Sequence, residues 1–210
     1  MRIGIIQASS QAGKNRLLYD TVKKYAAGSE VINFGCTEAE TDRYSYIEIS
    51  VLAGLLLASG AVDFIVTGCS SGQGMMLACN SFPGVLCGYA PTPADAYLFA
   101  QINNGNAVSL PLGEEYSWTG PENFEATIAR LFSEPFGGGY PKERVVPEQR
   151  NKKILDEVRK VALNQDLVEI LKKLDPELVK GAFMGERFNE LFFKNCKDEK
   201  IGAYIKEIVG

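Results

Sequence analysis

The stretch AVDFIVTGCSSGQGMMLACN, residues 61–80, contains the transition that decides the fold. Its first seven residues are mostly apolar and include β-branched and aromatic side chains, which predicts a buried strand. A turn rich in glycine and serine follows at 68–74, with a cysteine at 69, and the run after it predicts a short helix. Three kinds of site use this arrangement: a nucleophile elbow, a phosphate-binding loop, or a thiol base beside an anion site. The rest of the chain decides among them.

Segments of the same two types alternate through the first two thirds of the chain. Runs typical of strands lie at 2–8, 30–35, 62–68, 84–90 and 106–112, and helical patterns lie at 15–27, 45–60, 72–81, 93–104 and 121–134. This alternation predicts an α/β fold: a doubly wound, Rossmann-like five-stranded parallel sheet with helices on both faces. Ligands of such sheets bind beyond the carboxyl ends of the strands, where the strand order reverses. We therefore expect the polar loops at 7–13 and 68–74 to meet there.

The chain divides into two predicted parts. Residues 1–150 form the sheet domain, which includes an arm at 135–150 rich in glycine, proline and charge. Residues 151–210 form a C-terminal helical extension, whose first helix would carry a stripe of Leu155, Val158, Val161 and Ala162. About 60 residues of short helices bury too little apolar surface to be stable alone. We therefore expect the extension to dock on the sheet domain or on a neighbouring subunit.

Composition excludes several classes of function. The 210 residues contain no histidine, so neither a Ser–His–Asp triad nor a Cys–His pair is available. The net charge of −4, with no long basic run, argues against nucleic acid as a partner, and no apolar run is long enough to span a membrane. Five cysteines without Cys-x-x-Cys spacing suit the reducing cytoplasm and argue against a metal site. We expect no metal and no cofactor.

Two of the motif interpretations meet specific difficulties. Gly68-x-Ser70-x-Gly72 has the form of a nucleophile elbow, but the chain lacks the histidine that would activate the serine. The loop at 8–15 departs from the Walker A motif, with alanine in place of its first glycine and asparagine in place of its magnesium-binding hydroxyl. The same loop has some similarity to the phosphate loop of flavodoxins, so an FMN protein remains an alternative.

The thiol interpretation uses every feature of the turn. A cysteine at the start of a helix is near free N–H groups and the positive end of the helix dipole, which lower a thiol pKa. Gly72 and Gly74 allow the backbone to approach a ligand, and Ser71 adds a hydroxyl donor. Cys69 would then move a carbon-bound proton beside a stabilised enediolate oxygen. The alternative is a buried, unreactive cysteine, which is the interpretation we give to Cys36, Cys79 and Cys87.

The segment CSSGQGMMLACNSFPGV, residues 69–85, resembles that of the type B ribose-5-phosphate isomerases and the related galactose-6-phosphate isomerases. Three other segments resemble parts of the same family: ETDRYSY at 40–46, INNGNAVSLPLG at 102–113 and FGGGYPKERV at 136–145. Their order and spacing agree over roughly residues 1–150. The resemblance implies a Rossmann-like sugar-phosphate isomerase, active as a homodimer or a dimer of dimers, and places the helical extension outside the shorter family members.

The resemblance also assigns site residues. It implies that Cys69 is the base and Ser71 the hydroxyl of the anion loop, with Gly72 and Gly74 as backbone donors. It further implies that Asn103 binds substrate across a dimer interface and that Arg144 binds phosphate. Other substrate-binding candidates stand at positions where the sequence departs from the family: Ser9 and Ser10 in place of an Asp-His pair, and Arg43 with Tyr46 near its Thr-Asp-Tyr segment.

Two further departures bear on the substrate. Ile102 stands where the family has a ring-opening histidine, and Tyr140 replaces the first arginine of the arm. A cyclic aldose needs acid–base assistance to open before its C2 proton can leave, so these losses favour a substrate that is already open-chain, such as a tetrose 4-phosphate. The sequence thus predicts an aldose–ketose isomerase of a small phosphorylated sugar. A non-catalytic sugar-phosphate binder and a flavodoxin-like FMN protein are the alternatives.

Overall fold

A computed structural model describes residues 1–39, 44–116 and 118–210. Its centre is one sheet of five parallel strands in the order β2-β1-β3-β5-β4. The strands are β1 (Arg2–Ile5), β2 (Glu30–Asn33), β3 (Phe64–Cys69), β4 (Cys87–Tyr89) and β5 (Ala107–Pro111). The predicted α/β fold is confirmed, since each strand lies in one of the five apolar runs, and only β3 extends beyond its run, by the single residue Cys69.

Ten α-helices connect and extend the strands within the described residues. They are α1 (Asn15–Tyr25), α2 (Tyr46–Ala58), α3 (Gln73–Cys79), α4 (Pro93–Leu98), α5 (Pro121–Leu131), α6 (Val145–Ala162), α7 (Leu167–Leu171), α8 (Pro176–Ala182), α9 (Glu186–Asn195) and α10 (Glu199–Val209). Short 3₁₀ segments precede α1 (Ser9–Lys14) and α6 (Lys142–Arg144), and a π-helical turn, Phe99–Asn103, follows α4. None of these helices is both long enough and apolar enough to cross a bilayer.

The strand order brings three loops to one edge of the sheet. After β1, the chain places β2 on one side of β1 and then β3 on its other side, where β5 and β4 follow. The strand order therefore reverses between β1 and β3. Backbone bonds from Ile6 N to Val66 O and from Ala8 N to Gly68 O carry this pairing beyond the strands. On the other side of β3, Cys69 is in register with Pro111 of β5. The segments after β1, β3 and β5 are therefore neighbours.

The sheet separates two apolar layers, and helix α2 is the centre of one of them. Nearly every residue from Ile49 to Leu56 is buried, so α2 has no polar face. One side of α2 packs on the sheet, and α3, α7 and α8 cover other sides. Ten residues of the extension are buried in this layer: Leu167, Val168, Leu171, Val179, Ala182, Phe183, Phe188, Phe192, Ile201 and Ile205. The extension thus docks on its own sheet domain, one of the two outcomes expected.

The first helix of the extension differs from the expectation. It begins at Val145 rather than near Lys152, so the end of the predicted arm is helical; Pro147 is tolerated because it lies in the first turn, where N–H groups lack intrahelical partners. No residue of α6 is buried. The predicted apolar stripe exists, but Leu155, Val158 and Val161 are exposed, at 39%, 55% and 80%. Helix α6 therefore presents this stripe to solvent instead of to the sheet.

Candidate active site

Cys69 ends β3 at the edge where the strand order reverses. After it the chain turns through Gly72, whose φ of 75° places it in the left-handed region that favours glycine. A Cβ at this position would lie 2.8 Å from the carbonyl carbon of Leu110, so the turn also needs glycine for space. The turn aims the Gly72 N–H at the cysteine sulfur, with N and Sγ 3.3 Å apart. The backbone thus donates a hydrogen bond to the sulfur and fixes its position.

The thiol opens on a cavity of about 380 Å³. The exposed fraction of Cys69 is 8%, low enough to shield the sulfur from bulk water while leaving it in contact with the cavity. Four other predicted site residues line the same cavity: Ser10, Tyr46, Ser71 and Gly74. Tyr44, Ser70 and Tyr116 line it as well. A thiol, several hydroxyl groups and glycine backbone thus surround one small space, as proton transfer on a polyol requires.

Tyr46 forms a wall of this cavity at the start of α2. A Ser45–Glu48 capping box begins the helix: the Glu48 N–H donates to Ser45 Oγ, and the Ser45 N–H donates to the Glu48 carboxylate. The Tyr46 ring lies against Gly74, where an added Cβ would be 3.4 Å from the ring. A Cβ at position 74 would be in ordinary van der Waals contact with the ring, so the turn and the Tyr46 ring pack directly against each other. Arg43 lies outside the described residues.

Ser9 has a structural contact in addition to its position near the site. Its Oγ accepts a hydrogen bond from the Tyr44 N–H at 2.6 Å and lies 3.3 Å from the Cys36 sulfur. Gln7, fully buried, donates from Nε2 to the Cys36 carbonyl oxygen at 2.8 Å. These contacts connect the loop after β1 to the loop after β2, so Ser9 holds two walls together.

Sequence reasoning missed several residues that shape the site. Gln11 Nε2 donates to Ser70 Oγ at 3.0 Å and so links the loops after β1 and β3. Ser109 on β5 donates to the Gly72 carbonyl oxygen at 2.6 Å, which fixes the turn from beneath. Tyr116, on the segment after β5, lines the cavity from a third side. Ser109 and Tyr116 lie near the site because β3 pairs with β5. Composition and periodicity do not reveal which strands pair, so they could not identify these two residues.

Asn103 and Arg144 do not join Cys69 within one chain. Asn103 ends the π-helical turn just before β5 begins, so it lies at the amino edge of the sheet, opposite the edge that carries Cys69. The arm packs at this same end, with bonds from Gly137 N to Ala100 O and from Gly139 N to Gln101 O. Both Asn103 and Arg144 are exposed. Their predicted roles therefore require a second copy of the chain.

The cysteines expected in the core are buried. Cys36, Cys79 and Cys87 have exposed fractions of 3%, 0% and 5%, and all five cysteines of the chain are free. A hydrogen bond with the Cys79 thiol, together with burial, raises the pKa of Cys87 well above its ordinary value. Cys87 is thus neutral and unreactive at physiological pH. Cys69 differs from these three because it borders a cavity.

Comparison with known proteins agrees with this geometry. A sequence profile described as Ribose/Galactose Isomerase matches residues 3–147. The chain belongs to the ribose/galactose isomerase family. It is therefore a sugar isomerase, an intramolecular oxidoreductase, and this identity favours the isomerase prediction over the FMN alternative. A second profile, described as Ribose-5-phosphate isomerase, matches residues 161–208.

Solved structures extend the similarity of this isomerase to its whole length. A 4-deoxy-L-threo-5-hexosulose-uronate ketol-isomerase, solved with a tartrate, is 45% identical over 100% of this chain and 99% of its own, with a TM-score of 0.93. A ribose-5-phosphate isomerase from Vibrio parahaemolyticus is 41% identical over 99% of each chain, with a TM-score of 0.90. A type B ribose 5-phosphate isomerase from Trypanosoma cruzi, 24% identical over 77% of this chain and 99% of its own, shares the fold at a TM-score of 0.62. A search of curated proteins gave no match.

Proposed function

We propose that this isomerase interconverts the aldose and ketose forms of an open-chain sugar acid of the 4-deoxy-5-hexosulose-uronate type. The observation that carries the proposal is the Cys69 thiol at a cavity lined by hydroxyl groups, in a chain without histidine. As a thiolate, Cys69 takes the proton from the carbon beside the substrate carbonyl, and the electron pair forms the enediolate. The thiol then returns the proton to the neighbouring carbon, and the hydroxyl proton moves between the two oxygens. Atoms and charge balance without an external oxidant.

The chemistry of the substrate explains the missing ring-opening residue. A 4-deoxy-5-keto hexuronate carries no hydroxyl on C4 or C5, so its C1 aldehyde cannot close a furanose or pyranose ring. Such a compound needs no acid–base pair for ring opening, and Ile102 occupies the position where the family places its histidine. The 45% identity to a ketol-isomerase of this compound gives independent support. These two observations support the expectation of an open-chain substrate, and in our proposal its terminal group is a carboxylate instead of a phosphate.

A sugar phosphate is the second candidate. The ribose-5-phosphate isomerase from Vibrio parahaemolyticus is 41% identical, and Arg144 matches a phosphate-binding position of the family. Ribose 5-phosphate closes a furanose through its free C4 hydroxyl, whereas a tetrose 4-phosphate cannot, since its O4 is esterified. Among phosphorylated substrates we therefore favour the tetrose.

We assign the active form to a homodimer or a dimer of dimers in the cytoplasm. Asn103 and Arg144 complete a site only if a partner supplies them, and the exposed stripe on α6 is an apolar surface that a partner would cover. The five free cysteines suit a reducing compartment. We place small sugar acids or sugar phosphates, rather than nucleic acid or a membrane, as the binding partners.

The test compares substrates and removes the thiol. The unsubstituted protein is incubated in D₂O with 4-deoxy-5-hexosulose uronate, erythrose 4-phosphate or ribose 5-phosphate, and deuterium uptake at C1 and C2 is followed by NMR. We expect the highest kcat/KM with the uronate. Cys69→Ala should lower kcat by about 10²–10⁴-fold, the usual contribution of a general base.

Cys196→Ala is the matched control, because Cys196 is a free cysteine at the end of α9, outside the cavity. It should keep the unsubstituted rate. Exchange that persists in Cys69→Ala would assign the base to another group. A preference for ribose 5-phosphate would refute the open-chain substrate, and absence of turnover with tight sugar-phosphate binding would support the non-catalytic alternative.

A further inference from the structure

A second cavity continues the thiol cavity toward Lys14. It measures about 510 Å³ and shares Ser10, Ser70 and Tyr116 with the thiol cavity. Gln11 lines it as well and donates to Ser70 at the boundary between the two spaces. A chain-like molecule with its reacting carbons at Cys69 therefore extends past Ser10 and Ser70 into a space that the isomerisation itself does not use.

Lys14 is held in this second cavity by two groups. Its Nζ lies 4.3 Å from the centroid of the Trp118 ring and 2.9 Å from Glu114 Oε1. The Lys14 side chain is only 22% exposed, whereas that of Glu114 is 76% exposed. Lys14 also ends a 3₁₀ segment that runs directly into α1, so its backbone is fixed. The lysine is thus a positioned cation, and its carboxylate partner is free to rotate into solvent.

The charge of the second cavity selects among anions. Of the described residues that line either cavity, Lys14 is the only cation, and Glu38, Glu114 and Glu115 are the acids. Three carboxylates near one ammonium group oppose a phosphate dianion more strongly than a singly charged group. The ammonium group already binds one carboxylate at hydrogen-bond distance. A substrate carboxylate that takes the place of Glu114 would reproduce this contact and add one negative charge, whereas a phosphate dianion would add two.

We propose that Lys14 binds the terminal carboxylate of the substrate, which displaces Glu114 from the ammonium group. The proposal rests on the proposed function and gives it a residue that determines specificity for the acid end. Lys14 lines the second cavity and not the one that contains Cys69, so it acts on binding alone. Its interaction is therefore equal in ground state and transition state, and its loss raises KM with kcat unchanged.

The test uses three substitutions, of which Lys14→Met and Glu114→Gln have opposite expected effects. Lys14→Met should raise KM for 4-deoxy-5-hexosulose uronate by about 10- to 100-fold, the range of one hydrogen bond to a charged group. Lys14→Arg should retain most of the affinity. Glu114→Gln should lower KM by a few fold, because the ligand no longer competes with an internal carboxylate. An ion pair with a purely structural role would give no decrease for Glu114→Gln.

Lys24 and Glu125 give a matched control pair, since they form a surface ion pair at 2.6 Å and line neither cavity. Lys24→Met and Glu125→Gln should leave KM unchanged. Unchanged KM in both Lys14→Met and Glu114→Gln would overturn the inference. It would also be overturned if Arg43→Gln raised KM while Lys14→Met did not. Failure of the unsubstituted protein to convert the uronate would overturn both the proposed substrate and this inference. Conversion that does not depend on Lys14 would overturn the inference alone.

Discussion

At the scale of single residues, the site depends on one left-handed glycine. Gly72 combines a φ of 75° with close approach to Leu110, and its N–H donates to the Cys69 sulfur. Ser109 fixes the carbonyl of the same residue from β5. The position of the thiol is therefore set by main-chain geometry rather than by a neighbouring basic side chain, and a change at Gly72 should affect both folding and catalysis.

Gly72→Ala tests this dependence, with Gly84→Ala as its control. Both glycines have a φ of 75°, but a Cβ at Gly84 meets nothing within 4 Å, whereas one at Gly72 meets the Leu110 backbone and Tyr89. Gly84→Ala should lower the free energy of unfolding by about 1–2 kcal/mol, the cost of left-handed alanine. Gly72→Ala should cost about 1–3 kcal/mol more from overpacking, and should lower kcat. Urea denaturation and steady-state kinetics measure the two effects; equal costs would show that the turn adapts.

Three of the predicted residues that line the cavity belong to the local motif, and two more, Ser10 and Tyr46, were named from the family resemblance. Cys69, Ser71 and Gly74 follow from a strand, a turn and a helix within 20 residues. Lys14 and Tyr116 were missed because their neighbours come from the pairing of β1 with β3 and of β3 with β5, which brings together segments about 40 to 100 residues apart. Local patterns predict local geometry, and a site built from three loops is only partly local.

At the scale of elements, the extension is part of the main core. Phe192 of α9 is fully buried, stacks on Phe188 with ring centroids 6.2 Å apart, and meets the Phe193 ring edge-on at 5.2 Å. Arg187 of the same helix donates to the Asn33 carbonyl oxygen at 2.8 Å and also to that of Gly35, where β2 ends. The helix that closes the apolar layer therefore also holds a loop next to the site.

Phe192→Ala should lower the free energy of unfolding by about 3–5 kcal/mol, the usual cost of removing a buried phenylalanine ring. Leu77→Ala is the control, since Leu77 is 65% exposed on α3. The transition is monitored by circular dichroism and by the fluorescence of Trp118, a residue that packs against the other apolar layer. We expect one cooperative transition in urea. Two separate transitions would instead show that residues 151–210 unfold as a domain of their own.

Sequence patterns predicted that the extension is helical, but they did not predict what each helix packs against. The spacing of Leu155 and Val158 indicates an amphipathic helix, and the helix exists. The same spacing does not reveal whether the apolar side faces its own chain or a partner, because the hydrophobic pattern is identical in the two cases. The elements that cover α2 were likewise not predicted, although its mostly apolar sequence indicates that most of its surface is buried.

At the scale of the whole molecule, the two ends of the sheet carry different parts of the predicted site. Cys69 lies at the carboxyl edge, and Asn103 and Arg144 lie at the opposite edge of the same chain. An arrangement of two chains with opposed edges would place Asn103 of one copy beside Cys69 of the other. Such an interface is isologous, so it would create two equivalent sites.

Mixing two inactive variants tests this arrangement. Cys69→Ala and Asn103→Ala should each have low activity, and co-refolding equal amounts should restore about a quarter of the unsubstituted activity, because half of the dimers are mixed and each has one intact site. Mixing Cys69→Ala with Cys69→Ser should restore nothing and serves as the control. If the first mixture also stays inactive while forming mixed dimers, Asn103 acts within its own chain or not at all.

The mostly apolar surface of α2 has a consequence for biosynthesis. Residues 59–166 are translated between α2 and the first segment of the extension that covers it. At bacterial-like elongation speeds the interval is on the order of ten seconds. During that time the side of α2 that α7 and α8 later cover remains exposed, so translation that stops before α7 should yield insoluble product and a strong dependence on chaperones.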